Sequence, residues 1–164
     1  IRVPYIFRWD GKIKAGSKNT CPITNLDLFP TLLHIGGIDA ARYVPDGLNL
    51  MPILTSELKH NERSLYWHFP IYLQAYNVKD NETRDSLFRT RPGSVIRKGN
   101  WKLHYYFEDD GIELYNLEED IAERKNLAIE NPEKTEELLS LLHDWWTMTN
   151  APIPTQRNPE YELE

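Results

Sequence analysis

The hydrophobic positions of this chain change period from segment to segment. From Ser94 onward they recur at every second residue in short bursts. Val95-Ile96-Arg97 is β-prone, and Lys98-Gly99-Asn100 supplies turn residues that tolerate a positive φ. Trp101, Leu103, Tyr105 and Phe107 then alternate with Lys102, His104 and Tyr106, which places the two sets on opposite faces of one strand. Asp109-Asp110-Gly111 is a second turn signal, and Ile112 to Leu117 a further strand with Ile112 and Leu114 on one side. Ser64 to Phe69 reads as a strand with Leu65, Trp67 and Phe69 on one face, Tyr66 and His68 on the other. Val3 to Trp9 carries apolar residues on both alternating sets, as in a strand covered on both faces.

Two segments follow the helical period instead. Leu26 to Ile35 is preceded by Thr24, a candidate N-cap with Asp27 three residues on, and is ended by Gly36-Gly37. Pro30 requires either a late start, with the proline in the first turn, or a kink. Its polar residues Asp27, Thr31 and His34 form one narrow stripe, while Leu26, Leu28, Phe29, Leu32, Leu33 and Ile35 cover the rest. A helix that apolar needs partners over most of its surface. Each side chain it buries contributes about 1.5–3 kcal/mol. One strand cannot cover it, so the pattern points to a larger α/β layer upstream of Ile1, and an isolated chain is expected to aggregate or bind a hydrophobic dye. The second helix opens at Asn131-Pro132, with Asn as N-cap and Pro in the first position. Glu133, Glu136 and Glu137 favour its N-terminal end, and Leu138, Leu141, Leu142, Trp145 and Met148 form its buried stripe. Asp39 to Ser56 reads as a connector with a one-turn helix, Ile71 to Pro92 as a long polar loop, and the Pro-rich tail from Ala151 as an extended strap.

Composition narrows the classes. The 164 residues are 40% hydrophobic and 12% aromatic, a globular rather than disordered balance. A net charge of −6 with no basic run argues against nucleic acid. No apolar run approaches the roughly 18 residues of a membrane span. Cys21 is the only cysteine, so no internal disulfide is possible. The chain opens at Ile1 inside a strand pattern, without a leader segment, as expected of a piece of a longer polypeptide.

Beyond the pattern, the wording of the chain resembles the sulfatase family of the alkaline-phosphatase-like superfamily, and specifically its C-terminal part. The blocks that carry the resemblance are Ser94, Ile96-Arg97, Gly99 and Trp101-Lys102-Leu103; then Glu113-Leu114-Tyr115-Asn116-Leu117, Asp120, Glu123 and Asn126-Leu127-Ala128. Ile1-Arg2-Val3-Pro4, Asp27-Leu28-Phe29-Pro30-Thr31-Leu32-Leu33, Asp46-Gly47 and Tyr66-Trp67-His68-Phe69-Pro70 precede them in family order. The resemblance implies an α+β architecture: a small antiparallel sheet packed by a C-terminal amphipathic helix, preceded by the last strand and helix of a truncated α/β domain. Residues 1–56 would end the α/β catalytic domain, and residues 57–164 would form the C-terminal subdomain, with the boundary near Glu57 to Asn61.

The family hydrolyses sulfate esters with a formylglycine made from the cysteine or serine of a C/S-x-P/A-x-R motif, beside a calcium ion held by carboxylates and an amide. Cys21 does not match: Pro22 stands one place early and the Arg is missing, so Cys21 reads as structural. No HxH or HExxH spacing and no glycine-rich phosphate loop occurs. Asp109-Asp110-Gly111 lacks the alternating ligands of a calcium loop and reads as a hairpin turn, and Glu118-Glu119-Asp120 as a solvated acidic run. The expectation is a chain without catalytic residues or metal ligands of its own, inactive alone, whose parent is a calcium-dependent, periplasmic or secreted sulfatase acting on a sulfated carbohydrate. Its contribution would be substrate binding by His68, near the pocket mouth by resemblance, and by Arg89 and Arg91, whose guanidinium forks suit sulfate oxygens. Against these stand a histidine packed on a neighbouring layer, and arginines that are plain surface charge or paired with nearby Asp85. Some relatives carry a second histidine after the proline, where this chain has Ile71-Tyr72. Arg97 reads as tied to the sheet. Other readings are a non-catalytic structural or glycan-binding module, or the end of a phosphoryl-transfer relative.

Overall fold

A computed structural model describes residues 3–43, 46–55, 63–74 and 88–156; the expected boundary at 57–61 lies outside them. The chain forms two compact units, Ile1–Glu62 and Arg63–Glu164.

In the first unit, a 3-10 turn at Asn25–Asp27 leads into helix α1 (Leu28–Ile35). The Thr24 amide donates to Asp27 Oδ2 at 2.7 Å, the expected capping contact. Starting at Leu28 places Pro30 in the first turn, where its missing N–H costs nothing. Gly37 ends the helix at a φ of 70°, in the left-handed region that glycine occupies without penalty. A second 3-10 turn (Ala40–Tyr43) and the short helix α2 (Met51–Leu54) complete the unit. Its buried cluster is small: Cys21, Leu50 and Ile53, with Phe7, Ile23, Leu28 and Leu54 against it. Cys21 is thus a packing residue. The strand expected over Val3 to Trp9 does not form, because a strand exists only through ladder bonds and none of the described residues pairs with it. Ile6 is 93% exposed.

The second unit holds a four-stranded antiparallel sheet in the order β1-β4-β5-β6, made of β1 (Ser64–Phe69), β4 (Gly93–Lys98), β5 (Trp101–Tyr106) and β6 (Gly111–Asn116). Gly99, at a φ of 58°, turns β4 into β5. The long loop expected from Ile71 to Pro92 is not irregular throughout: β2 (Leu73–Gln74) pairs with β3 (Phe88–Thr90). Register places Tyr66, Ile96, Leu103 and Leu114 in one row across the sheet. Helix α3 (Pro132–Thr149) lies on that face, and Ile96, Leu103, Leu114, Leu138 and Leu142 are fully buried between them. At about 1.5–3 kcal/mol each, these five side chains form the core of the unit.

Two details of α3 differ from expectation. The Asn131 side chain does not cap the helix; its Nδ2 donates back to the Leu127 carbonyl, and Thr135 Oγ1 donates to the Asn131 and Ala128 carbonyls. Met148 is exposed rather than buried, because the helix turns Trp146 as well as Trp145 onto the sheet.

Candidate functional site

The resemblance blocks from Ser94 to Ala128 lie in the second unit, and most prove to be fastenings. Asp120 Oδ2 accepts from the amides of Arg124 and Lys125. Three residues on, Glu123 reaches back across the sheet, its carboxylate accepting from Lys102 Nζ at 2.6 and 2.7 Å and contacting His104 Nε2 at 2.9 Å. Three further on, Asn126 Oδ1 accepts from the amides of Leu114 and Ala128, its Nδ2 donates to the Ile112 carbonyl, and the Leu127 amide donates to the Leu114 carbonyl. Those bonds cover the open edge of β6, the place where an unpaired strand invites aggregation. The spacing of Asp120, Glu123 and Asn126 therefore reports a loop tied at three points. Within the acidic run Glu118 and Glu119 are exposed, and Glu118 accepts from Asn100 Nδ2 at 2.6 Å at the surface.

Lys102, His104 and Tyr106 lie on the sheet face opposite α3, with Glu113 and Tyr115 alongside on β6. Lys102 is 7% exposed, so its ammonium needs the carboxylate. Burial pulls Glu123 towards its neutral form, but the hydrogen bonds from His104 and Lys102 outweigh it and hold the carboxyl at about 2. Burial, reinforced by Glu113, raises the Tyr115 phenol above the usual range. Burial also lifts Tyr105, whose hydroxyl donates to Asp110, to about 12.

The other cluster sits where β1 ends and β4 begins, at the roots of the 70–92 connection. His68 is opposite Ser94 in the ladder. Its Nδ1 is 2.6 Å from Ser94 Oγ, and its Nε2 is 2.9 Å from the Pro152 carbonyl oxygen. Trp146 Nε1 donates to the same Ser94 Oγ at 2.9 Å, and the ring stands edge-on to Phe107 and Trp145. Arg91 is largely enclosed, 3.6 Å from Asp109 Oδ2. Asp109 Oδ1 accepts from the Gly111 amide, and Asp110 adopts a φ of 53°, so Asp109-Asp110-Gly111 is the turn its composition indicates. Arg89 lies on β3, and its side chain falls outside the described residues. Arg97 Nε donates to the Gly99 carbonyl, within the sheet. His68 and Arg91 thus flank one connection and engage partners within the chain. Sequence reading missed Ser94 as the partner of His68, and Trp146 as the second partner of Ser94; the signal available was two polar-capable residues inside otherwise apolar faces.

In the first unit Asp27 and Thr31 of the polar stripe face inward, while His34 is exposed. Asp27 is fully buried, and its Oδ1 accepts from the Leu48 amide at 2.8 Å. Thr31 Oγ1 donates to the Asp27 carbonyl and accepts from the Leu50 amide. The apolar side is bare: Leu26, Phe29, Leu32 and Ile35 are 43–65% exposed. Among the described residues, no three histidine, cysteine or carboxylate side chains converge to hold a metal ion. No helix among the described residues is long and apolar enough to cross a membrane.

Comparison with known proteins agrees with this geometry. The family model for the C-terminal part of N-sulphoglucosamine sulphohydrolase matches residues 1–150. A sulfatase of Formosa agariphila is 33% identical over 93% of this chain, and an N-acetylglucosamine-6-O-sulfatase of Bacteroides thetaiotaomicron is 30% identical over 87%. The chain spans only 28% and 24% of the length of these two relatives. A solved structure in complex with its substrate D-glucosamine-2-N,6-O-disulfate superposes with a TM-score of 0.64 and 27% identity, over 91% of this chain and 29% of the other. Matched along nearly all its length by the family model and by relatives at this level of identity, the chain belongs to the sulfatases, as the C-terminal portion of one.

Proposed function

We propose that the full-length protein hydrolyses sulfate esters of a sulfated carbohydrate in the periplasm or outside the cell, and that this portion closes one side of its pocket without supplying nucleophile or metal ligands. The observation that carries the reading is the similarity, over most of this chain, to a structure holding a sulfated glucosamine. Formylglycine and calcium would belong to the part of the relatives that this chain does not span. Cys21 lacks the neighbours of a formylglycine precursor and is buried in an apolar cluster, which fits that division.

Within this portion, the connection between β1 and β4 is the proposed contribution to the pocket. His68 stands at one root and Arg91 at the other. Arg89 is the residue proposed to meet an anionic group, and His68 and Arg91 stand at the two ends of the connection that contains it. An arginine suits this because its planar fork pairs with two oxygens of a sulfate at once.

The test is to assay the purified full-length protein against matched sulfate and phosphate esters, with the 164-residue chain alone beside it. Sulfate release by the full-length protein and none by the chain is expected. Preference for phosphate esters would move the protein to a phosphoryl-transfer reading, and turnover by the pure chain would overturn the assignment of the chemistry to the rest of the protein.

A further inference from the structure

The contacts of His68 define a chain of hydrogen bonds with one direction. The Trp146 indole can only donate, so Ser94 Oγ accepts from it. The Pro152 carbonyl can only accept, so His68 Nε2 carries a hydrogen. In the neutral ring Nδ1 is then bare, and the Ser94 hydroxyl, at 2.6 Å, donates to it. The bonds run from α3 through β4 and β1 to the tail, and every donor has one acceptor. Ser94 is 1% exposed, so water cannot replace a lost partner.

The Ala151 amide also donates to the Trp146 carbonyl at 2.9 Å, at the root of the tail. After α3 ends at Asn150, with its left-handed φ of 50°, Pro152, Ile153, Thr155 and Gln156 are exposed, and Pro152 and Pro154 have no N–H to donate. We propose that His68 is a positioning residue: its Nε2 latches the segment 151–156 as a strap against the end of β1, and the Trp146–Ser94 pair fixes the ring tautomer that makes the latch. Strap and loop root are thereby tied to one ring, because His68 also stands at the start of the 70–92 connection. This role stands on the hydrogen-bond geometry alone and holds whatever ester the protein cleaves.

The test uses the full-length protein with a nitroxide label at Thr155→Cys, or at Asp144→Cys on the exposed side of α3 as a control. His68→Asn keeps an acceptor where Nδ1 stands but cannot reach Pro152. The label at 155 is expected to tumble several-fold faster in His68→Asn than in the His68 protein, with the label at 144 unchanged. Equal mobility at 155 would overturn the latch. A second reading needs no substitution at His68: the ring nitrogen-15 shifts should report the neutral Nε2–H tautomer, and an Nδ1–H tautomer would overturn the direction of the chain. Ser94→Ala should free that tautomer preference along with the strap.

Discussion

Glu123 is the residue on which the most depends. It holds a φ of 56°, a left-handed conformation that costs a non-glycine residue roughly 1–2 kcal/mol. The carboxylate offsets this by satisfying Lys102, which is otherwise buried without a counter-charge, and by engaging His104. Glu123→Gln should therefore lower the stability of the full-length protein by about 1–3 kcal/mol at neutral pH, the worth of hydrogen bonds to a charged group. The sign of the pH dependence follows from a carboxyl held below its ordinary value. Its contribution is complete above the unfolded range near 4.5 and is lost as the pH falls towards about 2. Denaturant midpoints of the two proteins should thus differ by a constant amount above about pH 5 and converge below it. Equal midpoints at pH 7 would show that the carboxylate carries no such load. Glu123 was legible as part of a family block, but not as the partner of Lys102. That pairing spans 21 residues and depends on a backbone turn that no local pattern encodes.

At the scale of elements, the informative one is α1 with the 46–50 segment. The expected polar stripe is present, yet two of its members, Asp27 and Thr31, point inward and bind backbone. A buried carboxylate and hydroxyl there replace a strand partner for residues 48 and 50. The close approach demands glycine at 47, since a Cβ there would sit 2.1 Å from the Leu26 carbonyl oxygen and 2.6 Å from the Asp27 amide nitrogen. Gly47→Ala must force that crossing apart and should cost roughly 1–3 kcal/mol or more. Gly36→Ala is the contrast: its φ is −76° and its nearest neighbours are 3.5 Å away, so it should be neutral or slightly stabilising. Thermal unfolding of the two full-length variants separates these outcomes, and equal midpoints would contradict the crossing. Periodicity foretold α1, its proline and its glycine stop, because those signals are local. It foretold the meander for the same reason, from Gly99 and from the alternation between Trp101 and Phe107. It failed for Val3 to Trp9, where an apolar run reads as a strand but has no ladder partner among the described residues, and for Met148, which the helix leaves exposed while both Trp145 and Trp146 face the sheet.

At the scale of the molecule, two units of one chain differ in completeness. The second has a closed core and a covered edge at β6. The first gathers only Cys21, Leu50 and Ile53 in its buried cluster and leaves the broad side of α1 in water. Exposing four large apolar residues on one helix is costly at about 1.5–3 kcal/mol each, so the arrangement makes sense only inside a larger body. The family match, covering about a quarter of its relatives' length, agrees. The site was less legible than the fold, because His68, Ser94 and Trp146 meet across three elements and only the fold joins them. The most direct measurement is the reactivity of Leu32→Cys towards a thiol reagent, with buried Cys21 as the slow background. The account predicts rapid labelling in the 164-residue chain and labelling at least tenfold slower in the full-length protein. Equal rates would mean that the apolar face of α1 stays open in the full-length protein, which the account does not allow.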